Sequence, residues 1–520
     1  MSSSSDEKRP LLKRNSKISS NPTSYCSTHS SEDADIEDFN SEVSRTSSLA
    51  PSEPVSIGWE DLSVSIPVKR SLFQRVGLCK KDGKDKDLSD LKQILFEVSG
   101  SVAPGQLVAV MGASGAGKTT LLNTLNRRNV KGFKIEGEIL VNGKNLDDSM
   151  SSISAYVQQE NLFVGTLTVR EHLQFQAILR LPRSMSREKK VKRADEVLRD
   201  LGLGKCRDTK IGVVGRIRGI SGGEKRRLSF ASEALTNPSI FFCDEPTTGL
   251  DSYMAEQVVQ FLQKMANHGK SVICTIHQPP SEVYALFDHV MLLAEGRTAY
   301  FGALEFFKSV NFGCPLDFNP ADFYIQTLAI APNQKEECKR RVDFICEEFR
   351  KSSFNADLKS FGRISPSKKK SPYNASWFTM FSMLLWRAWL FNFRNKGVAI
   401  VRIVQRIIVA ILVGLIYLGV QLDQKGINNI NGALFFALMQ TSVPATMGVL
   451  RFLPADFPIV VNEHFKGIYK VSAYYWSRVL SSLPFFTTDG ILYIVIVYFM
   501  SHFRATAEAF FLALLIGLLA

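Results

Sequence analysis

Hydrophobic and polar positions divide this chain into three unlike stretches. Residues 1–54 are Ser-rich and polar, a composition that buries too little apolar surface to offset ordering entropy, so a disordered tail is expected. Residues 55–330 alternate short apolar runs with charged helical patterns, as an α/β domain does. Trp59–Ile66 alternates as a strand, and Ile94–Ser99 predicts a second. Leu107–Met111 is apolar throughout, as a strand buried on both faces is. It runs straight into a glycine-rich loop, after which a helix is expected from about Lys118 to Asn126. Residues 187–201 carry the period of a charged amphipathic helix, and Ile240–Cys243 and Val272–Thr275 predict further core strands. Residues 331–375 are polar and basic and predict a linker.

From residue 376 to 520 apolar runs dominate. Ser376–Trp389 is amphipathic and rich in Trp, which suits a helix lying in the plane of a membrane interface. Apolar stretches follow at about 398–420, 431–450, 483–500 and 509–520. A helical crossing takes ~20 residues. The first three are expected to span, and the last looks like a fourth span cut short, as in a fragment of a longer protein. Arg402 and Arg406 are expected to snorkel toward the cytosolic side of the first span. The second is interrupted by Gln440, Thr441, Ser442 and Pro444. These groups either pack against neighbouring helices or, with Phe435 and Phe436, line a substrate path. Asp489 near the start of the third span is either functional, as acids within a bilayer are, or held at headgroup level outside the span.

The net charge of +13 is spread along the chain and includes Lys368–Lys370, Arg394 and Lys396 just before the first span. That placement favours cytosolic segments beside a bilayer over nucleic acid, so membrane lipid is an expected partner and nucleic acid is not. The 8 cysteines form no CxxC pair, and Cys243 and Cys274 fall in predicted strands; free thiols in a reducing cytosol are expected. Without an apolar signal segment near residue 1, an internal span is expected to direct insertion.

Three motifs carry the chemistry. Gly112-Ala113-Ser114-Gly115-Ala116-Gly117-Lys118-Thr119-Thr120 sits between a strand and a helix. Its glycines let successive N–H groups turn toward phosphates, Lys118 suits the β- and γ-phosphates, and the Thr119 hydroxyl suits Mg2+. Asp244 ends an apolar strand, where a carboxylate is costly unless it faces a cation; Glu245 follows it. Between them lies Ser221-Gly222-Gly223-Glu224.

In this order the three motifs resemble the ATPase domain of the ABC transporters. The resemblance implies ATP and Mg2+ as cofactors, with Asp244, Thr119 and Gln159 at the metal. It implies that Glu245 polarises the attacking water, that His277 is the switch histidine, and that Gln159, in Tyr156-Val-Gln-Gln-Glu160, is the Q-loop. Asp251, in Thr248-Gly-Leu-Asp-Ser252, corresponds to the D-loop, and Ser221, Gly222, Gly223 and Glu224 to a signature that serves a partner's nucleotide. One phosphate loop and one signature per chain imply a dimer with a second half-transporter, identical or different. By the family's pattern the adenine-stacking position is Val64, with Trp59 the alternative.

An ATPase domain preceding the membrane domain, with Asn319-Pro-Ala-Asp-Phe323 after its core, resembles the G subfamily. Residues 155–163, 228–236, 319–324 and 429–435 are similar to that subfamily's eye-pigment-precursor transporters. This implies small planar substrates, tryptophan- or guanine-derived; a lipid or sterol exporter of the subfamily shares the ATPase motifs, and a non-transport ABC ATPase would lack the spans. Asn462-Glu463-His464 and Tyr469–Tyr474 match the family's loop between spans two and three, which passes ATPase movement to the membrane. Glu7, Leu11 and Leu12 resemble an acidic dileucine sorting signal. The implied location is a multi-pass protein of an intracellular granule, lysosome-related organelle or plasma membrane, with its ATPase domain cytosolic.

Overall fold

Register between strands decides which side chains meet at one edge of the first domain. In the computed structural model, residues 54–67, 91–128, 130, 132–145, 150–213, 217–302, 313–315, 318–330, 334–351, 373–419, 424, 426–503 and 506–519 are described. All lie in one unit, Thr46–Ala520. The Ser-rich tail with Glu7, Leu11 and Leu12, the basic run Lys368–Lys370, and residues 420–423 and 425 at the end of the expected first span and just after it fall outside them.

The strands are β1 Ile57–Pro67, β2 Leu91–Val102, β3 Leu107–Gly112, β4 Lys134–Val141, β5 Lys144–Asn145, β6 Ser154–Val157, β7 Ile240–Cys243, β8 Ser271–Thr275, β9 His289–Ala294 and β10 Arg297–Gly302. One sheet has the order β2-β1-β4-β5, and the other β10-β9-β3-β8-β7-β6. In the second, β3, β6, β7, β8 and β9 pair in parallel, and β10 closes the edge antiparallel to β9. Every residue of β3, β7 and β8 is buried, as a sheet covered on both faces requires. Val157, Cys243 and Cys274 stand in register across β6, β7 and β8, so the loops after these strands open at one edge. In open α/β sheets, ligands gather at that carboxyl edge.

The helices of this half are α1 Lys118–Leu125, α2 Met150–Ile153, α3 Val169–Arg180, α4 Arg187–Asp200, α5 Gly222–Ala234, α6 Ser252–Asn267, α7 Ser281–Tyr284, α8 Pro320–Leu328 and α9 Lys335–Lys351. The helix α9 occupies the first part of the expected linker. Cys338, Val342, Ile345, Cys346 and Phe349 form its buried stripe, and Phe349 meets Tyr300 of β10 edge to face. Cys243 and Cys274 are free and buried, as expected.

The second half is helical: α10 Trp377–Arg394, α11 Lys396–Ile416, α12 Gly426–Phe465, α13 Val471–Met500 and α14 Ala507–Leu519. Gly397–Ile416 and Val471–Met500 are long and apolar enough to cross a membrane. Two expectations are corrected here, and one open alternative is narrowed. The helix α12 has 40 residues, so Asn462–His464 form its last turns and not a loop. Pro454 and Pro458 argue locally against helix, but packing of Val460 and Glu463 against α10 and Tyr469 overrides them. Asp489 lies well inside α13, buried, 2.9 Å from Arg402 Nε, and so is not at a span end. Arg402 therefore does not snorkel; nor does Arg406, whose Nη1 donates to the Gln440 carbonyl oxygen at 2.5 Å.

Candidate nucleotide site and its link to the membrane helices

Strand β3 delivers the chain into a loop that only glycine can follow. Gly112 and Gly117 have φ 151° and 99°, and a Cβ on Gly112 would stand 2.2 Å from the Leu293 carbonyl oxygen. Ser114 and Gly115 are exposed, Ala113 and Thr120 half-buried, and Ala116 buried beneath them. Lys118 Nζ donates to the carbonyls of Gly112 (2.8 Å) and Ala113 (3.1 Å), folding back over the loop. Burial lowers its pKa, against the raising influence of Glu245 and Asp244.

Asp244 is placed by the end of β7 and held by three hydroxyls. Thr119 Oγ1 (3.2 Å) and Thr275 Oγ1 (2.8 Å) donate to Oδ1, and the Tyr156 hydroxyl (3.1 Å) donates to Oδ2. Burial, then the neighbouring Asp244 charge, pushes the Tyr156 phenol far above its usual range, so it remains a donor. Glu245 takes φ 43°, a left-handed conformation rare outside glycine. Such strain persists where surroundings fix it: the Thr275 hydroxyl accepts from the Glu245 N–H at 2.8 Å. The Glu245 carboxylate accepts from Gln159 Nε2 at 2.6 Å and from the Thr248 hydroxyl at 2.9 Å. Lys118, Thr119, Gln159, Asp244 and Glu245 are thus brought together, and His277 stands exposed beyond β8 on the same edge. The oxygens of Thr119, Asp244 and Gln159 are the hard donors a divalent cation such as Mg2+ takes.

Ser221 caps α5, accepting from the Glu224 N–H at 3.2 Å while Glu224 Oε2 accepts from the Ser221 N–H at 2.7 Å. Glu224 thereby locks the helix start, leaving Ser221 and Gly222 exposed. Among the described residues no hydrogen bond joins this cap to the phosphate loop. Asp251 caps α6, accepting from the Met254 N–H at 2.8 Å. Val64 and Trp59 are both buried, Trp59 edge-on to Phe301, so neither offers a face to adenine.

Tyr156, Thr275 and Arg226 were not singled out by sequence. Buried Arg226 donates to the carbonyls of Gln158, Gln159, Asp244, Glu245 and Pro246 at 2.5–3.1 Å, gathering the Q-loop and the β7 end onto α5. Only its place after Ser-Gly-Gly-Glu-Lys could have flagged it. A lysine cannot reproduce that planar fork. Arg226→Lys should cost about 1–3 kcal/mol of stability, read as a lowered unfolding midpoint; an unchanged midpoint would mean the fork is not holding the two loops.

The same helix α5 reaches the membrane half. Glu233 accepts from Arg180 at 2.7 Å and from Lys466 at 2.6 Å. Burial raises its pKa, but Arg180 and Lys466 prevail and hold it at about 2. A depressed carboxylate contributes its stability above the ordinary carboxylate range and loses it as pH falls toward 2. Arg394 forks onto Glu171, in the first turn of α3, at 2.6 and 2.8 Å. Arg128 donates to Asn462 at 3.2 Å. Phe175 and Leu179 of α3 pack with Met380, Leu384, Ile468 and Tyr469 in one apolar cluster, where burying each large side chain contributes about 1.5–3 kcal/mol. Arg387 donates to both Glu463 oxygens, at 2.7 and 2.9 Å, beneath these residues. On α12, within the stretch expected as a second span, Phe435 and Phe436 are exposed and Gln440 half-buried.

A glycine loop at a strand end, a capped Ser-Gly-Gly helix and an appended helical membrane domain together define an ABC transporter. The family model for ABC transporter matches residues 95–248, and that for ABC-2 type transporter matches residues 379–520. The protein white of Ceratitis capitata is 44% identical over 81% of this chain and 64% of its own length. That of Drosophila melanogaster is 43% identical over 81% and 63%. The ATP-binding protein/permease wht-3 of Caenorhabditis elegans is 37% identical over 90% and 74%. The chain belongs to the G family of ABC transporters, beside the White proteins. It spans just under two thirds of the two White proteins it matches.

Proposed function

We propose that this chain is a White-type half-transporter in which ATP hydrolysis drives a small planar molecule across a membrane. Helix α5 carries the proposal. Arg226 near its start holds the loops that place Gln159 and Glu245, and Glu233 near its end holds Lys466 beyond the second span. A shift at the nucleotide is thereby felt at the membrane through one rigid element.

Lys118 and the N–H groups of residues 112–120 bind the phosphates, and Thr119, Asp244 and Gln159 take Mg2+ when it is bound. Glu245 orients and polarises the attacking water, and His277 contacts the γ-phosphate. Ser221–Glu224 and Asp251 act across a dimer, with a Scarlet-like or Brown-like half or a second copy. The adenine-stacking group is neither Trp59 nor Val64. The location is an intracellular granule or the plasma membrane, with the ATPase domain cytosolic; imaging the full-length protein in its own tissue decides between them.

A mixed dimer tests the assembly. With Lys118→Ala in one subunit and Gly223→Asp in the other, both changes fall in one composite site, and about half the ATPase rate should remain. With both changes in one subunit, both sites fail. Equal rates for the two arrangements would rule out a signature acting in trans. The substrate path is tested separately. Gln440→Leu should abolish stimulation of ATPase by substrate while basal ATPase and dimer formation persist; parallel loss of both activities would make Gln440 a packing residue.

A further inference from the structure

Helix α1 meets the nucleotide site at its start and the membrane half just past its end. Thr119, in its first turn, donates to Asp244 Oδ1 at 3.2 Å. After its last residue the chain closes a Schellman cap. The Arg127 N–H donates to the Thr124 carbonyl at 3.0 Å, and the Arg128 N–H to the Asn123 carbonyl at 2.8 Å. Arg127 takes φ 54° in this turn, a position glycine usually fills. The turn brings the Arg128 side chain over β6. Its guanidinium carbon lies 4.8 Å from the centre of the Tyr156 ring. Its Nη2 donates to Asn462 Oδ1 at 3.2 Å, in the last turns of α12. Ser154 Oγ, at the start of β6, donates to Asn126 Oδ1 at 2.7 Å and ties the same end of α1 to that strand.

The Tyr156 hydroxyl closes the circuit, donating to Asp244 Oδ2 at 3.1 Å. Thr119, Asp244 and Arg128 are thus held together by one helix of about 12 Å and one buried ring. Glu233 and Asp244 lie near enough to offset the Arg128 charge, so the guanidinium calls for no further partner. Asp244 Oδ1 has two hydroxyl donors, Thr119 and Thr275. For Oδ2 the donor among the described residues is Tyr156 alone. A carboxylate that holds a cation is oriented by such donors, and losing one commonly weakens metal binding ten- to a hundredfold. Tyr156 therefore has its hydroxyl on Asp244 and its ring face against a side chain that Asn462 holds from the membrane half. A displacement of Asn462 moves the guanidinium, and with it the ring that orients Asp244.

We propose that Tyr156 and Arg128 are positioning residues that set the Mg2+ affinity of the nucleotide site according to the place of Asn462. This rests on the placement of Mg2+ at Thr119 and Asp244 proposed above. The route is separate from the hydrogen bonds of Arg226 and Glu233 on α5, and it runs from the membrane half back to the metal.

The test uses the full-length transporter assembled as a dimer. The readout is binding of a fluorescent, non-hydrolysable ATP analogue in Mg2+ and in EDTA; the ratio of the two affinities is the gain that Mg2+ confers. Tyr156→Phe keeps the ring under Arg128 and removes the hydroxyl. It should cut the gain about tenfold and leave binding in EDTA unchanged. Asn462→Leu should cut the gain about threefold, and Asn462→Asp, which keeps an acceptor for Arg128, should retain it. The double variant Tyr156→Phe, Asn462→Leu should match Tyr156→Phe alone, because Asn462 acts through the hydroxyl. Additive losses in the double variant, as an effect passing through α5 would give, would overturn the proposal. So would a gain in Tyr156→Phe within about twofold of wild type, against the larger loss expected of an orienting donor. A loss that is equal in Mg2+ and in EDTA would make Tyr156 a packing residue. Asp244→Asn separates this proposal from the metal placement beneath it. If that variant leaves the gain intact, the placement fails and the proposal falls with it. If it removes the gain while Tyr156→Phe does not, the role of Tyr156 and Arg128 alone is overturned.

Discussion

Glu245→Gln is expected to lower ATP turnover by about 10²- to 10⁴-fold, the usual loss when a positioned proton acceptor is removed. The amide oxygen can still accept from Gln159 Nε2 and Thr248 Oγ1, which hold the native carboxylate at 2.6 and 2.9 Å. The left-handed backbone at φ 43° is asked of the new residue as of the old. Binding of ATP, which the proposed function assigns to Lys118, Thr119 and the loop N–H groups, should therefore change little. Measuring nucleotide affinity and single-turnover hydrolysis on the same preparation separates the two effects. Turnover within about threefold of wild type would remove Glu245 from the chemistry.

The parts of this site that sequence exposes are those coded over a few consecutive residues. Leu107–Met111, Ile240–Cys243 and Val272–Thr275 are apolar runs ending in chemistry, and the strands lie within a residue of where those runs place them. The Ser221–Glu224 cap is visible in the same local way, as a serine followed three residues later by glutamate. Thr275 and Tyr156 escape because their role depends on register: neither is near Asp244 in sequence, and β6, β7 and β8 must align before all three converge. Helix α9 escapes because Glu, Lys and Arg fill the positions around its buried stripe. The extent of α12 escapes because its prolines mark breaks that tertiary contacts override. Arg402 and Arg406 look like interfacial anchors until a second helix supplies Asp489 and a third supplies the carbonyl freed by Pro444. Long-range pairing, not propensity, accounts for each of these.

Breaking the Arg387–Glu463 pair is expected to have the largest effect on the joint between the halves. Both side chains are at most 8% exposed. Glu463 also accepts from the Tyr469 hydroxyl at 2.6 Å, and the Arg387 guanidinium sits 4.5 Å from the centre of the Phe175 ring on the ATPase side. Glu463→Leu alone strands a buried cation, and Arg387→Met alone strands a buried anion. Each should cost about 3–5 kcal/mol. Apolar side chains of similar volume at both positions often restore stability, less about 1 kcal/mol for the orphaned Tyr469 hydroxyl. The double variant Arg387→Met, Glu463→Leu should therefore unfold near wild type where each single variant does not. Its coupling should not recover, because two apolar side chains slide past one another where a charged fork fixes one angle between α10, α12 and the Phe175 face of α3. Basal ATPase should persist in the double variant and substrate should no longer raise it. Single variants that melt with wild type would show the pair is not holding the joint; a double variant that is both stable and substrate-responsive would make it a stabilising pair alone.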